Sequence, residues 1–472
     1  MRDLALVGVG LHAEHSYLPL LRDLARQGAV RLRAVVDVAE RRPQVLAALS
    51  RSGVDAEHVI TDDVDADSAR GRALGLARLG RLLGDGRIDG LIASTDPRAH
   101  RGILEWAAGR GVDVLVDKPL TARELRFTDQ AAASLTRDYR DLGKAFANGG
   151  ATATVMVPRR LHPGYAFIRR TLSEAVAELG LPITYLDLYH SSGYWNLPDE
   201  FLSRENHPYK YGYGALLHSG YHFIDLAAWL LKVNEHSGTG AWADRLEVVT
   251  QHSTPDDVLE QVPFGFYQRA DMAAGLARAY GAEARAKARD CGETDVNIGF
   301  RALRGGRTVT LGSVRMVETG LSNRSWRVLP QDTYKKNGKF SQDRLTAHVG
   351  YVLTVHAWEE QDDTPEGGKR FVVEVLRNAA LIGGPRVRRL VFTPEASEDG
   401  EQVPLSVAGK RALFTRWLAG QTDGLTLDSH DLTVGLLTAA YTAMFRARRG
   451  LAPLAHAPVG TESVVESVRE AR

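Results

Sequence analysis

The first 120 residues alternate short apolar runs with amphipathic stretches, and this alternation restricts the chain to one class of fold. "LALV" (4–7), "VRLRAVVD" (30–37), "EHVI" (57–60), "DGLIAST" (89–95) and "VDVLVD" (112–117) read as strands. Between them, "AEHSYLPLLRDLARQ" (13–27), "RRPQVLAALSRSG" (41–53), "ARGRALGLARLGRLLGDG" (69–86) and "HRGILEWAAGRG" (100–111) have helical spacing. Repeated β–α units argue for a parallel, doubly wound sheet, and right-handed crossovers place helices on both of its faces.

A chain of 472 residues exceeds one ordinary core, so two domains are expected. The Gly-containing stretch "RDLGKAFANGGATATV" (140–155) reads as the boundary. Beyond it come long segments, many of which alternate apolar and polar residues: "PITYLDLYH" (182–190), "RLEVVTQHS" (245–253), "TDVNIGFRAL" (294–303), "RTVTLGSVRMVE" (307–318), "AHVGYVLTVHAWEE" (347–360) and "KRFVVEVLRNAAL" (369–381). This is the pattern of a half-solvated antiparallel sheet. The expected architecture is an α/β chain: a doubly wound parallel domain over 1–145, an α+β domain with a large, mostly antiparallel sheet over 146–450, and a polar tail over 451–472. A helix at 431–450 closes the second domain.

Composition removes several function classes. The net charge of +1 gives no electrostatic footprint for nucleic acid. No apolar run reaches the length of a membrane span. The single cysteine, Cys291, cannot form an internal disulfide or supply a cysteine zinc site. With no signal-peptide pattern at the N-terminus, a cytoplasmic protein is expected.

The loop "VGVGLHAEH" (7–15) carries Gly8, Gly10 and Ala13 in a G-x-G-x-x-A arrangement, with Leu11 and His12 between them. Gly8 permits a tight strand-to-helix turn, Gly10 lets backbone approach a pyrophosphate, and Ala13 lets the helix pack close to the strand. An acid, Asp37, ends the second strand, where a carboxylate binds ribose hydroxyls and disfavours a 2′-phosphate. The loop therefore marks the first domain as a Rossmann domain for NAD(H), with Arg41 and Arg42 close enough to leave NADP(H) open. At the end of the fifth strand, "VLVDKPLT" places Lys118 at the carboxyl edge of the sheet, where ligands of such folds bind. A lysine there can hold a substrate oxygen and stabilise developing negative charge.

These residues resemble the Gfo/Idh/MocA oxidoreductases, which include glucose-fructose oxidoreductase and inositol dehydrogenase. The glycine loop, "STDPRAH" (94–100), "DKP" (117–119) in place of the family's Glu-Lys-Pro, "VPRRLHPGYAFIRR" (157–170) and "GALLHSGYHFIDL" (214–226) carry the resemblance, which spans about residues 4–232 and resumes at "LDSHDLTVGLLTAAYTAMFRARRG" (427–450). It implies that Lys118 and His222 are the catalytic pair. It also implies cofactor contacts from Ser94, Thr95, His100, Asp117 and Lys118, and substrate contacts from Arg160, His218, Tyr221 and Asp225. One departure stands out: His218 occupies the position where the family often has aspartate. A carboxylate raises the basicity of a nearby imidazole, whereas a second imidazole does not.

His218 and His222, four apart on a helix, allow three readings. A metal site needs a third ligand, for which Asp225 and His190 are conceivable, but no recognisable metal motif is present and none is expected. Two structural histidines are the bland reading. With the glycine loop and Lys118 in place, His222 as acid–base leads, because imidazole titrates near neutral pH. The segment "YHSSGYWNLPDEFLSRENHPYKYGYG" (189–214) is dense in aromatic and amide side chains, and Tyr194, Trp195 and Asn196 are its candidates for contacting a polyhydroxylated ring. The expected function is NAD(P)-dependent hydride transfer at a ring carbon of a sugar, inositol or sugar derivative, by a homo-oligomer (dimer or tetramer). A redox-neutral NAD-using sugar enzyme (elimination or epimerisation) and a non-catalytic NAD-binding regulator are the alternatives.

Overall fold

A computed structural model describes residues 1–62, 75–81, 88–238, 241–270, 275–324, 338–361, 369–396 and 402–459. The chain divides into two compact units. The first comprises Met1–Arg123, Leu135–His162 and Ser406–His430; the second comprises Glu124–Ser134, Pro163–Leu405 and Asp431–Arg472.

In the first unit, β1 (Arg2–Val7), β2 (Val30–Val38), β3 (His58–Asp62), β4 (Gly90–Ala93), β5 (Val114–Val116) and β6 (Ala153–Val155) form a six-stranded sheet of order β3-β2-β1-β4-β5-β6. Every pairing is parallel. The central strands β4 and β5 are buried throughout, because helices cover both faces of such a sheet. The strand order reverses between β1 and β4, which is where open α/β sheets bind ligands.

The first unit departs from the sequence reading in three places. The helix read over 13–27 is two helices, Leu11–Ser16 and Leu18–Arg26, meeting at Tyr17; Pro19, with no N–H to donate, lies in the first turn of the second. The glycine stretch at 140–155, read as the boundary, lies inside the first unit. Residues up to Gly149 continue helix Asp129–Gly149, and 153–155 supply β6 of the same sheet. Gly149 is needed for close packing, since a Cβ there would lie 2.0 Å from the Ala108 carbonyl oxygen. Finally, a helix over Leu405–Leu418, not expected from the sequence, sets Trp417 against Gly90 of β4 and Phe414 against Tyr17. The first unit thus includes a late segment that a single cut near residue 145 leaves out. Most of the helix expected over 69–86 lies outside the described residues, although 75–81 are helical.

In the second unit, β7 (Ile183–Ser191), β8 (Arg245–Ser253), β9 (Asp295–Arg304), β10 (Arg307–Val317), β11 (Gln342–Val349), β12 (Leu353–Gln361), β13 (Lys369–Arg377), β14 (Val387–Phe392) and, after a short ribbon of β15 (Glu395–Ala396) and β16 (Gln402–Val403), β17 (Leu454–Pro458) are the strands. Nine of them form one sheet of order β14-β13-β12-β11-β7-β10-β9-β8-β17. Only β7 and β10 pair in parallel. Side chains alternate between buried and exposed along β8, β9 and β10, as in a sheet covered on one face. Helices Pro163–Leu179, Tyr221–Leu231 and Asp431–Arg448 pack on it.

The single strand expected over 347–360 is a hairpin. Gly350, with φ of +50°, turns the chain between β11 and β12. The tail expected from 451 begins with β17, paired to β8, and 460–472 lie outside the described residues. No helix among the described residues is long and apolar enough to cross a membrane.

Candidate functional site

The glycine loop of the first unit joins β1 to helix Leu11–Ser16. Gly8 has φ of +90°, and a Cβ there would lie 2.3 Å from the Ser94 carbonyl oxygen, so the turn admits only glycine. Gly10 precedes the helix, and a Cβ on it would meet nothing within 4 Å, leaving room for a group to approach the backbone. Ala13 is fully buried against the sheet, and Leu11 is partly exposed at the start of the helix. The Asp37 carboxylate accepts the Val9 N–H at 2.8 Å and the Val38 N–H at 2.8 Å. Arg41 flanks it, with Nε 3.9 Å from Asp37 Oδ2 and Nη2 donating to the Val9 carbonyl at 2.9 Å. The acid at the end of β2 is therefore part of the loop as well as a polar group beside it.

Asp117 ends β5 and gathers three partners. Tyr17 donates to Oδ1 at 2.5 Å, Ser94 donates to Oδ2 at 2.7 Å, and His12 Nε2 lies 3.4 Å from Oδ1. Burial alone pushes this carboxyl up, but His12 and the Tyr17 and Ser94 hydrogen bonds outweigh it and hold the group well below the usual carboxylate range. Burial and the same carboxylate push the Tyr17 hydroxyl well above its ordinary value, so Tyr17 stays a donor. Thr95 donates to the Asp96 carbonyl, and Asp96 caps helix Pro97–Ala108.

Lys118 follows Asp117, half-buried, with a cis peptide to Pro119. His100 is fully buried behind this turn; its Nδ1 lies 3.0 Å from the Pro119 carbonyl, and burial pushes the imidazole down. It shapes the lysine turn from inside. Arg160, also buried, donates to the Gly424 carbonyl at 2.6 Å and to Ser429 Oγ at 2.8 Å, tying two segments of the first unit together.

In the second unit, the two histidines sit on a run that is not a plain α-helix. Leu216–Gly220 forms a wide turn, closed by the Gly220 N–H donating to the Ala215 carbonyl at 2.8 Å, and helix Tyr221–Leu231 follows. Such wide turns occur often at functional positions. The i, i+4 spacing expected for His218 and His222 therefore spans a π-type turn. His218 is buried; its Nε2 lies 3.1 Å from the Pro208 carbonyl, and its ring packs against those of His207, Tyr209 and Tyr213. His222 is only partly buried, in the first turn of the α-helix after the buried Tyr221. Asp225 is fully buried and accepts from Thr433 Oγ1 at 3.0 Å, fastening this helix to Asp431–Arg448. His190, one of the conceivable metal ligands, instead has Nδ1 2.6 Å from Asp343 Oδ1 and stacks on Phe223. Among the described residues no group of three His, Cys, Asp or Glu has the geometry to hold a metal. Cys291 is buried, which pushes its thiol up to about 12 and leaves it no nucleophile at neutral pH.

The aromatic segment is pinned by polar groups from other parts of the second unit and by its own. Arg324 makes a two-pronged ion pair with Glu200 and donates to the Trp195 carbonyl at 2.5 Å. Trp195 Nε1 donates to Tyr267 at 3.3 Å, and the Lys339 ammonium lies 5.1 Å from the Tyr194 ring centre. Asn196 is buried between the Arg204 guanidinium and the Tyr209 hydroxyl, so it holds the loop together.

Tyr209 in turn donates to Glu318, a buried carboxyl that burial pushes up to about 7. A carboxyl raised from 4.5 to about 7 in the folded state favours folding while neutral; that contribution is complete below about 4.5 and is lost as pH rises through 7. Relative to Glu318→Gln, the protein is expected to lose roughly 3 kcal/mol of stability between pH 4.5 and 8. Urea denaturation of both proteins across that range measures it, and a difference that does not change with pH rejects it.

No family model matches the chain. The scyllo-inositol 2-dehydrogenase (NAD(+)) of Bacillus subtilis (strain 168) is 28% identical over 233 residues, a match covering 47% of this chain and 61% of that protein, less than two thirds of its length. Among solved structures, a levoglucosan dehydrogenase in complex with NADH and levoglucosan superimposes with a TM-score of 0.56 at 13% identity, over 97% of this chain and 99% of the other. The WlbA dehydrogenase of Bordetella pertussis in complex with NADH and UDP-GlcNAcA gives 0.53 at 15% identity, over 98% of each chain. A putative myo-inositol dehydrogenase of Sinorhizobium meliloti 1021 gives 0.52 at 13% identity, over 98% and 100%. At these identities the solved structures establish the fold. The chain thus shares the fold of these solved dehydrogenases and is similar in sequence to an inositol dehydrogenase over part of its length.

Proposed function

We propose that this protein is an NAD(H)-dependent oxidoreductase acting at a ring carbon of a sugar, inositol or sugar derivative. The observation that carries the reading is the glycine loop: Gly8 is sterically obligatory, Gly10 faces open space, and Asp37 is bonded to the loop's own backbone. These residues fit a dinucleotide, with Gly8–Ala13 beside the pyrophosphate and Asp37 beside a ribose. Bound there, NAD(H) supplies the acceptor or donor of hydride. The resemblance to an NAD(+)-dependent inositol dehydrogenase supports both the cofactor and the substrate class.

Within this reading His222 takes the proton from the carbinol oxygen as the ring carbon becomes a ketone, and returns it in the reverse direction. The Lys118 ammonium stabilises the negative charge that gathers on that oxygen. Asp117, kept ionised by His12, Tyr17 and Ser94, fixes the backbone that leads into Lys118. Tyr194 and Trp195 offer rings for packing against a polyhydroxylated substrate. A cytoplasmic homo-oligomer completes the proposal.

Titration of the protein with NADH, followed by fluorescence, is expected to saturate, and NADPH is expected to bind more weakly. Asp37→Ala should weaken NADH and narrow that preference, because the substitution removes the carboxylate and leaves Arg41 beside the same position. A panel of inositols, sugars, amino sugars and nucleotide sugars, monitored at the absorbance of reduced nicotinamide, then tests the substrate class. Turnover confined to linear aldehydes or hydroxy acids rejects the ring substrate. Saturable NADH with no turnover anywhere on the panel moves the non-catalytic regulator ahead.

A further inference from the structure

We propose that Glu293 is a positioning residue for His222, holding from a distant part of the chain the wide turn that leads into the histidine's helix. The proposal rests on the proton-carrying role given to His222 above.

The backbone N–H groups that open a helical run have no acceptor within it. No side chain of the run caps the turn at Leu216–Gly220. Glu293 meets that need from outside. Its Oε1 accepts the Gly214 N–H at 3.2 Å and the Leu216 N–H at 2.8 Å, and its backbone carbonyl accepts the Ala215 N–H at 2.8 Å. Three successive residues entering the turn are thus held by one residue that lies 79, 78 and 77 positions later, before β9. Tyr441, on helix Asp431–Arg448, donates to the same Oε1 at 3.0 Å and orients the carboxylate.

The two segments meet so closely that side chains are excluded. A Cβ on Gly214 would lie 2.0 Å from the Glu293 carbonyl oxygen, and one on Gly292 would lie 2.0 Å from the Tyr213 carbonyl carbon. From Leu216 the chain runs through the wide turn, which Gly220 closes, directly into Tyr221 and His222. Gly220 is equally constrained, since its Cβ would lie 2.7 Å from the Ala215 carbonyl oxygen. A turn built on such close contacts has little freedom to reposition, so the anchor at 214–216 fixes where the first turn of the helix begins. Sub-ångström placement of an acid–base group is worth a large part of its effect.

All three side-chain contacts fall on one oxygen. A glutamine can therefore reproduce them through its single carbonyl oxygen, whereas alanine cannot. This distinction gives the test. In protein labelled with ¹³C at histidine, the His222 ring signal is identified by its loss in His222→Ala. Glu293→Ala is expected to shift or broaden that signal, to leave the His15 signal in place and to leave NADH affinity unchanged. On a substrate from the panel it should lower kcat by about 10- to 100-fold. Glu293→Gln is expected to restore the His222 signal and most of kcat. Should Glu293→Ala fail to fold, Tyr441→Phe, which removes one of the three donors, is expected to move the signal in the same direction. A folded Glu293→Ala, or failing that a folded Tyr441→Phe, whose His222 signal matches the wild type overturns the proposal. So does a Gln variant as impaired as the Ala variant. If the wild type turns over nothing, the enzyme reading fails on its own, and the ring signal still decides the role of Glu293.

Discussion

His222→Ala is expected to lower kcat by about 10²- to 10⁴-fold while leaving NADH affinity intact. The argument starts from the step itself. Oxidation of a carbinol releases a proton from oxygen as hydride leaves carbon, and the rate depends on a base that accepts it in the transition state. Of the two histidines, His222 in the helix is the one that is only partly buried; His218 is buried among aromatic rings with Nε2 against the Pro208 carbonyl. His218→Ala is therefore expected to cost mainly packing. Lys118→Ala should cost about 10²- to 10³-fold in kcat, because a positive charge aimed at a developing alkoxide acts in the transition state more than in the ground state. Steady-state kinetics with the substrate found on the panel, paired with NADH titrations, separate these effects. Turnover in His222→Ala within a few-fold of wild type would falsify the assignment of the proton to that residue.

Gly8→Ala and Gly10→Ala are expected to part company, and the contrast tests the loop. At Gly8 the new methyl would meet backbone at 2.3 Å and the backbone sits at φ of +90°, so strain and overpacking add. Together they are expected to cost the first unit roughly 2–6 kcal/mol, with loss of cofactor binding as a consequence of the distorted turn. At Gly10 a methyl meets nothing within 4 Å and the backbone is extended, with φ of −84° and ψ of −179°. Stability there should fall by no more than about 1 kcal/mol, the difference between glycine and alanine before a helix. NADH affinity should still drop sharply, because the methyl would occupy the space into which a pyrophosphate approaches. Denaturation curves and NADH titrations of the two variants measure both halves. A Gly10→Ala protein that binds NADH as the wild type does would remove the phosphate-loop reading.

Local patterns exposed much of the first unit to reading. Buried parallel strands are short and apolar, and the helices between them are amphipathic, so the β–α alternation was visible in composition alone. The glycine loop and Asp37 were legible for the same reason: a backbone that must turn tightly accepts few residue types. Errors arose where one local signal serves two structures. Gly149–Gly150 reads as a domain boundary, yet Gly149 ends a helix whose last turn packs against Ala108. "AHVGYVLTVHAWEE" has apolar and polar residues alternating on both sides of Gly350, and the turn there divides it. Helix Leu405–Leu418 carried a usable sign in the spacing of Gly409, Leu413 and Trp417, three buried residues on one face.

The sequence by itself determined the class of both units, the glycine-bearing strand–loop–helix, and the identities of Lys118 and His222 as candidates. These follow from periodicity and from steric rules that act over a few residues. Only the tertiary structure decided which polar residues support them. Asp117 stays ionised because His12 and Tyr17 from one segment and Ser94 from another meet at it. His190 is drawn to Asp343 across the β7–β11 pairing, and Asn196 is enclosed by Arg204 and Tyr209. Glu293 reaches a turn 77 residues away in the chain. Hydrogen bonds between buried groups depend on where the backbone brings them, and nothing in the local order of residues encodes that meeting.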